Sequence, residues 1–261
     1  MGNQVKYVDL GLLSKEMYTG IWEYGSVIDI QTPILIRFSL NVESVILFGK
    51  SKADVSHIIN SDIGNVIRIF EIGGGVPDGN VGYYIEGPNV DNFLLYSSND
   101  VKQLFLQTIR ECSFKFGIET FWNGRNDVFF KIGNKQKKFF GTGYDSENGW
   151  HANDGSITYK FNSELANRVR ELDYKNVLKP PKFDTDVGDV NDVIGGLWEV
   201  NSDINKTEFN NKFLEILMKK LGGTLEKNNL SSEELQLLIS RGKKRLEDEE
   251  WLLRGNNENF I

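Results

Sequence analysis

Hydrophobic and polar positions along the 261-residue chain change period several times, and each change predicts an element. Over residues 7–22, Leu12, Leu13, Met17, Ile21 and Trp22 fit an amphipathic helix, interrupted by Gly20, that packs on a sheet. The runs at 33–38 and 44–48 are β-rich and separated by Asn41 and Glu43, which predicts a strand pair ending at Gly49. Residues 51–60 predict a short helix started by Ser51, with His57 as a surface or packing residue, and residues 66–72 a strand that runs straight into three glycines. A short strand at 83–85 precedes a helix over 100–116. There Val101, Leu104, Phe105, Ile109 and Cys112 recur at helical spacing behind an Asn99 or Asp100 cap. Strand character resumes at 155–161, a short helix opens at Ser163, and Pro180-Pro181 with the polar stretch after it predicts a loop or linker. Two amphipathic helices close the chain, at 207–221 and 231–251. Gly222-Gly223 and a short strand lie between them, and Ser231-Ser232-Glu233-Glu234 forms the capping sequence of the second.

The stretch 126–144, NDVFFKIGNKQKKFFGTGY, predicts a β-hairpin: residues 128–132 and Phe139-Phe140 flank the turn-forming Gly133-Asn134. Lys135, Lys137 and Lys138 follow the turn, and Gly141 and Gly143 let the backbone approach a ligand or another strand. Such a hairpin suits a phosphate; its residues equally fit a surface hairpin with solvated lysines. The triple glycine, Gly73-Gly74-Gly75, is open in the same way between ligand approach and a tight turn.

Composition narrows the chemistry. Hydrophobic content of 39%, charged content of 26% and five prolines are those of a globular chain. No run reaches the 18 apolar residues of a membrane span, and the N-terminus lacks the pattern of a signal peptide, so a cytoplasmic protein without a membrane partner is expected. The single Cys112 excludes an internal disulfide and cysteine-rich zinc sites, and two histidines leave little for a histidine-based metal centre. On its helical stripe Cys112 is a core residue. A net charge of −7 argues against nucleic-acid binding, so any anion site is a local concentration of Lys and Arg.

Taken in order, several strings resemble the lipoate-protein ligase group of the biotin/lipoate ligase superfamily, over most of the chain. PILIRFSLNVESVILFGK is similar to the family's strands before its ligand loop, and IGGGVPDGN to its triple-glycine loop. RNDVFFKIGNKQKKFFGTGY resembles its Asn-Asp strand and Lys-x-x-Gly hairpin, and SEELQLLISRGKKRLEDEEWLLRG the end of its large domain. The resemblance implies an α+β fold with mixed and antiparallel sheets flanked by helices. Residues 1–180 would be the catalytic core, and residues 181–261 a linker and the helical C-terminal part of the same large domain. It also implies a two-step ligase that activates lipoate, or a similar medium-chain acid, with ATP as an acyl-adenylate and passes it to a lysine of a lipoyl domain. That domain would belong to a 2-oxoacid dehydrogenase or a glycine-cleavage carrier protein.

By the resemblance Lys138 is the catalytic lysine, and Asp127 holds Mg²⁺. The ligand and nucleotide would be bound by Arg68, Gly73, Gly74, Gly75, Asp78, Asn80, Asn126, Lys137, Gly141 and His151. The chain also departs from the family. Ile69 and Phe70 stand where an Arg-Arg pair is usual, with Arg68 one residue displaced, and the family's aromatic-His-Asp becomes Val76-Pro77-Asp78. The His-rich segment after the hairpin is reduced to Trp150-His151. Two alternatives follow: a paralogue that binds a ligand or carrier protein without catalysis, or an acyl (octanoyl) transferase, which needs a cysteine nucleophile. A separate small accessory chain is expected as a further partner.

Overall fold

A computed structural model describes residues 4–48, 55–69, 83–122, 126–147, 149–176 and 190–254. The N-terminal segment differs from the sequence reading: Gln4–Leu13 is a strand (β1), followed by a short helix, α1 (Lys15–Ile21), and a single turn, α2 (Tyr24–Val27). Val5, Tyr7 and Val8 are buried, and Ser14 caps α1 by accepting from the Met17 amide at 3.3 Å. Leu12 and Leu13, which fitted the helical count, end the strand beyond a bulge at which Gly11 takes φ +62°.

The runs at 34–48 are strands, β2 (Ile34–Leu40) and β3 (Ser44–Phe48), but they are not partners: β2 pairs with β1, and β3 belongs to a second sheet. Six of the seven residues of β2 are buried, as an interior strand with neighbours on both sides requires. The chain continues through α3 (Ser56–Ile59), β4 (Val66–Ile69), β5 (Tyr83–Glu86), β6 (Val90–Ser97), α4 (Lys102–Lys115) and β7 (Thr120–Trp122). It then forms β8 (Asp127–Ile132), β9 (Lys135–Glu147), β10 (Trp150–Thr158) and α5 (Ser163–Asn176). The last elements are α6 (Lys206–Leu221), β11 (Thr224–Lys227), α7 (Ser232–Glu247) and α8 (Glu249–Arg254). The predicted helix start at Ser51 lies outside the described residues. Asn162, not Ser163, caps α5, its side-chain oxygen accepting from the Leu165 amide at 3.0 Å.

The larger sheet has eight strands in the order β11-β1-β2-β6-β10-β9-β8-β7, parallel between β11, β1 and β2 and antiparallel elsewhere; the smaller has the order β4-β3-β5. The fold is thus α+β with mixed sheets flanked by helices. One face of the large sheet is covered by α4 and α6, whose Phe105, Ile109, Phe209 and Phe213 pack with Phe93, Phe130 and Phe140. The opposite face carries α1, α7 and the inner side of the small sheet, in a core shared by Tyr18, Ile36, Leu94, Ile67 and Leu238. The outer side of the small sheet is sealed by α3 and α5. Among the described residues no helix is long and apolar enough to cross a membrane.

Candidate active site

The hairpin forms where the sequence predicts it, with Gly133 at φ +57° in the turn between β8 and β9. Its decisive feature is a bulge. Asp127 lies opposite Gly141 and Val128 opposite Phe140, but the next pair is Phe129 with Lys138, leaving Phe139 as the extra residue. In a regular strand, residues 138 and 141 would face opposite sides; the extra residue brings Lys138 and Gly141 to one face, the face that carries Asp127. The Lys138 ammonium lies 2.8 Å from the Asp127 carboxylate. A Cβ on Gly141 would stand 3.1 Å from both Nζ and Cε of Lys138, so the absent side chain is the room the ammonium occupies.

That face is one wall of a cleft between the two sheets. Its enclosed volume is about 60 Å³, so the cleft is narrow and open to solvent on one side. The large sheet supplies Lys138, Gly141, Asp154, Ser156 and Thr158; the small sheet supplies Tyr84, Ile85 and Glu86; Phe161 and Ile194 close the side. Glu86 is buried and accepts from the Asn92 side-chain amide at 2.9 Å, while Ser156 donates to the Asn92 oxygen at 2.5 Å. Burial raises the Glu86 carboxyl to about 8. The bonds from Asn92 and Tyr18 oppose that rise, and Asp91 and Asp154 add to it.

Lys137, next in sequence, does something else. Its side chain points to the other face, where it pairs with Glu199 at 2.6 Å and donates to Asn191 at 3.2 Å. This anchors the segment 190–196 beside β9, past the last β10 residue paired with it. The Lys138 amide donates to Val193 O at 2.8 Å, and the Gly195 amide to Lys138 O at 2.9 Å. Neither glycine there has space for a side chain: a Cβ on Gly195 would sit 2.6 Å from Glu199 Oε1, and one on Gly196 2.3 Å from Tyr159 O.

The other residues singled out from the sequence are dispersed. Arg68 is fully buried, its guanidinium donating to the carbonyls of Leu252 and Leu253 at 3.0 and 3.3 Å, and it is not among the residues lining the cleft. His151 Nδ1 meets the Tyr144 hydroxyl at 2.6 Å, with the two rings stacked, on the same sheet but off the cleft lining. Asn126 immediately precedes β8, and its carbonyl accepts from the Thr142 amide at 2.9 Å. Gly73, Gly74, Gly75, Asp78 and Asn80 lie outside the described residues. Cys112 is buried between α4 and α6, 3.6 Å from Phe209 O, and burial pushes its thiol up to about 12, which removes the thiolate an acyl transferase would need.

Sequence reasoning missed Glu86, Asn92, Asp154, Ser156 and Gly195. A signal existed for three of them. WHANDGSIT carries Asn, Asp and Gly in mid-strand against β propensity, and its Asn153 and Asp154 are buried. VDNFLLYS starts with two buried polar residues, Asp91 and Asn92, that hide the central strand β6 from a hydrophobic count. Gly195 follows the polar stretch after Pro180-Pro181, in a short run to which the sequence pattern assigns no element.

No family model and no curated protein sequence matches the chain. Solved structures match along its whole length. A bipartite lipoate protein ligase from Thermoplasma acidophilum, studied with its E2 lipoyl domain, is 15% identical, with all of both chains covered and a TM-score of 0.69. A lipoate-protein ligase A bound with ATP is 15% identical over 97% of this chain and 99% of that one, at a TM-score of 0.66. LipL1 of P. falciparum, in complex with lipoate, is 16% identical over all of this chain and 76% of its own, at 0.62. At such identities the likeness is one of fold: the chain has the fold of the lipoate-protein ligases.

Proposed function

We propose that the protein is an ATP-dependent ligase that activates lipoate or a similar medium-chain acid as an acyl-adenylate and transfers the acyl group to a lysine of a lipoyl domain. The observation that carries this reading is the Lys138 ammonium in the wall of an otherwise largely apolar cleft, beside the bare Cα of Gly141 and 2.8 Å from Asp127. Relatives in fold that bind ATP, bind lipoate and work with a lipoyl domain support it.

In the first step a carboxylate oxygen of the acid attacks the α-phosphorus of ATP, and the bond to the pyrophosphate oxygen breaks. Two anions must meet, and Lys138 between them offsets their repulsion and the charge that grows on the phosphoryl oxygens. In the second step the amine of the carrier lysine attacks the acyl carbonyl, the bond to AMP breaks, and the amine loses a proton. Tyr84, Phe161 and Ile194 would flank the acyl chain and exclude water.

Mg²⁺, usually held by one or two carboxylates together with phosphate oxygens, belongs to the same reading. By resemblance Asp127 would hold it, and Mg²⁺ would neutralise phosphate charge. Asn126 stands beside it for the nucleotide. By resemblance Gly73, Gly74, Gly75, Asp78 and Asn80 would contribute backbone and side-chain contacts to acid and phosphate. A separate small accessory chain belongs to the same reading.

The test is pyrophosphate release with ATP, Mg²⁺ and lipoate, in the wild type and in Lys138→Ala. Loss of one preorganised charge in a poorly hydrated site costs roughly 100- to 1000-fold in rate. Lys138 is a partly exposed side chain whose neighbours are backbone and Asp127, so the melting temperature should stay within about 2 °C. Full pyrophosphate release by a folded Lys138→Ala protein would overturn the role given to this residue.

A further inference from the structure

Glu86 is a costly residue where it stands. It is 2% exposed, on the small sheet's inner side, and among the described residues no cation pairs with it. The groups that face it are the Asn92 amide from β6, Asp154 and Ser156 from β10, and the Tyr18 hydroxyl from α1, with Asp91 on the far side of β6. A buried acid met by neutral donors alone, Asn92 and Tyr18, with no counter-charge among the described residues, stabilises a fold less than glutamine or leucine would. Its presence in the wall of a cleft is the kind of feature found where a ligand supplies what the protein lacks.

The register relates Glu86 to the lysine of the hairpin. Gly141, Ser156 and Asn92 are direct neighbours across β9, β10 and β6. Lys138 Nζ sits at the Gly141 end of this row, and Glu86 is bonded to Asn92 at the other. Two strand spacings, roughly 9.5 Å from backbone to backbone, separate Gly141 from Asn92, so the two groups mark opposite sides of the cleft and one elongated ligand can meet both.

Building on the ligase reading above, we infer that the acid taken by this cleft carries an ammonium, or an equivalent strong hydrogen-bond donor, at the end remote from its carboxylate. The carboxylate meets Lys138 and the donor meets Glu86. The substrate is then an ω-amino-type acid within the medium-chain class rather than a plain fatty acid. Because burial raises the Glu86 carboxyl to about 8, the empty cleft at pH 7 holds it protonated. An arriving ammonium ionises it, and the proton leaves to solvent.

The experiment is titration calorimetry of the full chain with octanoate, lipoate and 8-aminooctanoate at pH 7, in two buffers of different ionisation enthalpy, alongside pyrophosphate release with each acid. The expected result is at least tenfold tighter binding of 8-aminooctanoate than of octanoate, with release of close to one proton per ligand. In Glu86→Gln, which keeps the shape and the Asn92 contact, the preference should fall to within about twofold and the proton release should vanish. Glu86→Leu should invert the preference toward octanoate.

Octanoate or lipoate binding as tightly as 8-aminooctanoate, or an unchanged preference in a folded Glu86→Gln, overturns the inference. If lipoate is activated and the amino acid is neither bound nor activated, the inference falls and the ligase stands. If 8-aminooctanoate is bound selectively and no acid releases pyrophosphate, the ligase falls and the inference stands. Failure of all three acids to bind overturns both.

Discussion

Lys137 and Lys138 show how far one residue's offset decides a role. From the sequence they are two members of one basic cluster, and the resemblance assigns both to the ligand. The bulge at Phe139 fixes which lysine shares a face with Gly141 and Asp127, and a bulge has no signature in the hydrophobic pattern. Lys137 is left as a structural cation whose partner, Glu199, lies 62 residues away. Lys137→Ala should therefore lower stability by roughly 2 kcal/mol, less than a fully buried pair because Glu199 is about one-third exposed. Its effect on pyrophosphate release should be through loosening of the backbone of Lys138. Urea denaturation checks the first expectation, and Lys137→Met, which refills the volume without the charge, should recover part of the stability.

Glu86 gives a second expectation at the same scale, with a definite sign. Its folded-state pKa is raised from 4.5 to about 8, so between those values the native chain holds a proton that the unfolded chain has released. Stability must then fall as pH rises through this window, by roughly 3 kcal/mol from pH 5 to pH 8 on this account alone. Glu86→Gln removes that slope. Equal pH dependence of the unfolding free energy in the two proteins would show that Glu86 does not keep its proton on folding.

At the scale of elements, Gly20 is instructive. In the sequence it reads as an interruption of a helix; in the structure it is where α1 and α7 touch. A Cβ on Gly20 would lie 1.9 Å from Leu238 O, and one on Gly242 would lie 1.8 Å from Glu16 O, so the two helix backbones meet at a pair of glycines. Beside that contact Glu23 is gripped by Arg241 and Arg245, both at 2.6 Å. Gly242→Ala cannot be absorbed by a side-chain movement, because backbone is what it meets. It should cost on the order of 3 kcal/mol, at the upper end of overpacking effects, and lower the melting temperature by about 6–12 °C, by the scaling for chains of this size. A melting temperature unchanged by Gly242→Ala would mean that the helices do not approach so closely.

Much at this scale was legible. The hairpin, α4, α6 with its Gly222 stop, and the Ser231–Glu234 capping box of α7 all follow from local chemistry. What escaped were β1, β6, the short β7 and the separation of β2 from β3. Pairing across the sheet decides these, and local spacing carries no record of it. The cleft itself was half legible: its lysine hairpin is local, while its acidic wall comes from β5, β6 and β10, whose partnership only the tertiary fold creates.

For the whole molecule the question is how the small sheet is kept against the large one, since the cleft exists only between them. The last helix provides the tie. Trp251, fully buried, donates from its indole to Arg68 O at 3.3 Å, and Arg68 reaches back to the carbonyls of Leu252 and Leu253, so β4 and α8 are locked reciprocally. The Arg245 guanidinium lies 4.1 Å from the Trp251 ring centre and carries the connection through Glu23 to the α1–α2 corner. Arg68 thus supports the roof of the cleft without lining it. Removing the indole leaves a cavity and strands one buried acceptor, Arg68 O, at a cost of roughly 3–5 kcal/mol. That cost should fall on the small sheet first, because β4 is its edge and the large sheet has its own core on the α4–α6 side. In Trp251→Ala, native-state hydrogen exchange should therefore show lost protection in Val66–Ile69, while Val90–Ser97 keeps its own. Acid binding should weaken along with β4, since the roof carries Tyr84 and Glu86. Equal loss of protection in both strands would mean that the two sheets unfold as one unit, and the cleft would then be a rigid groove rather than a joint between separable parts.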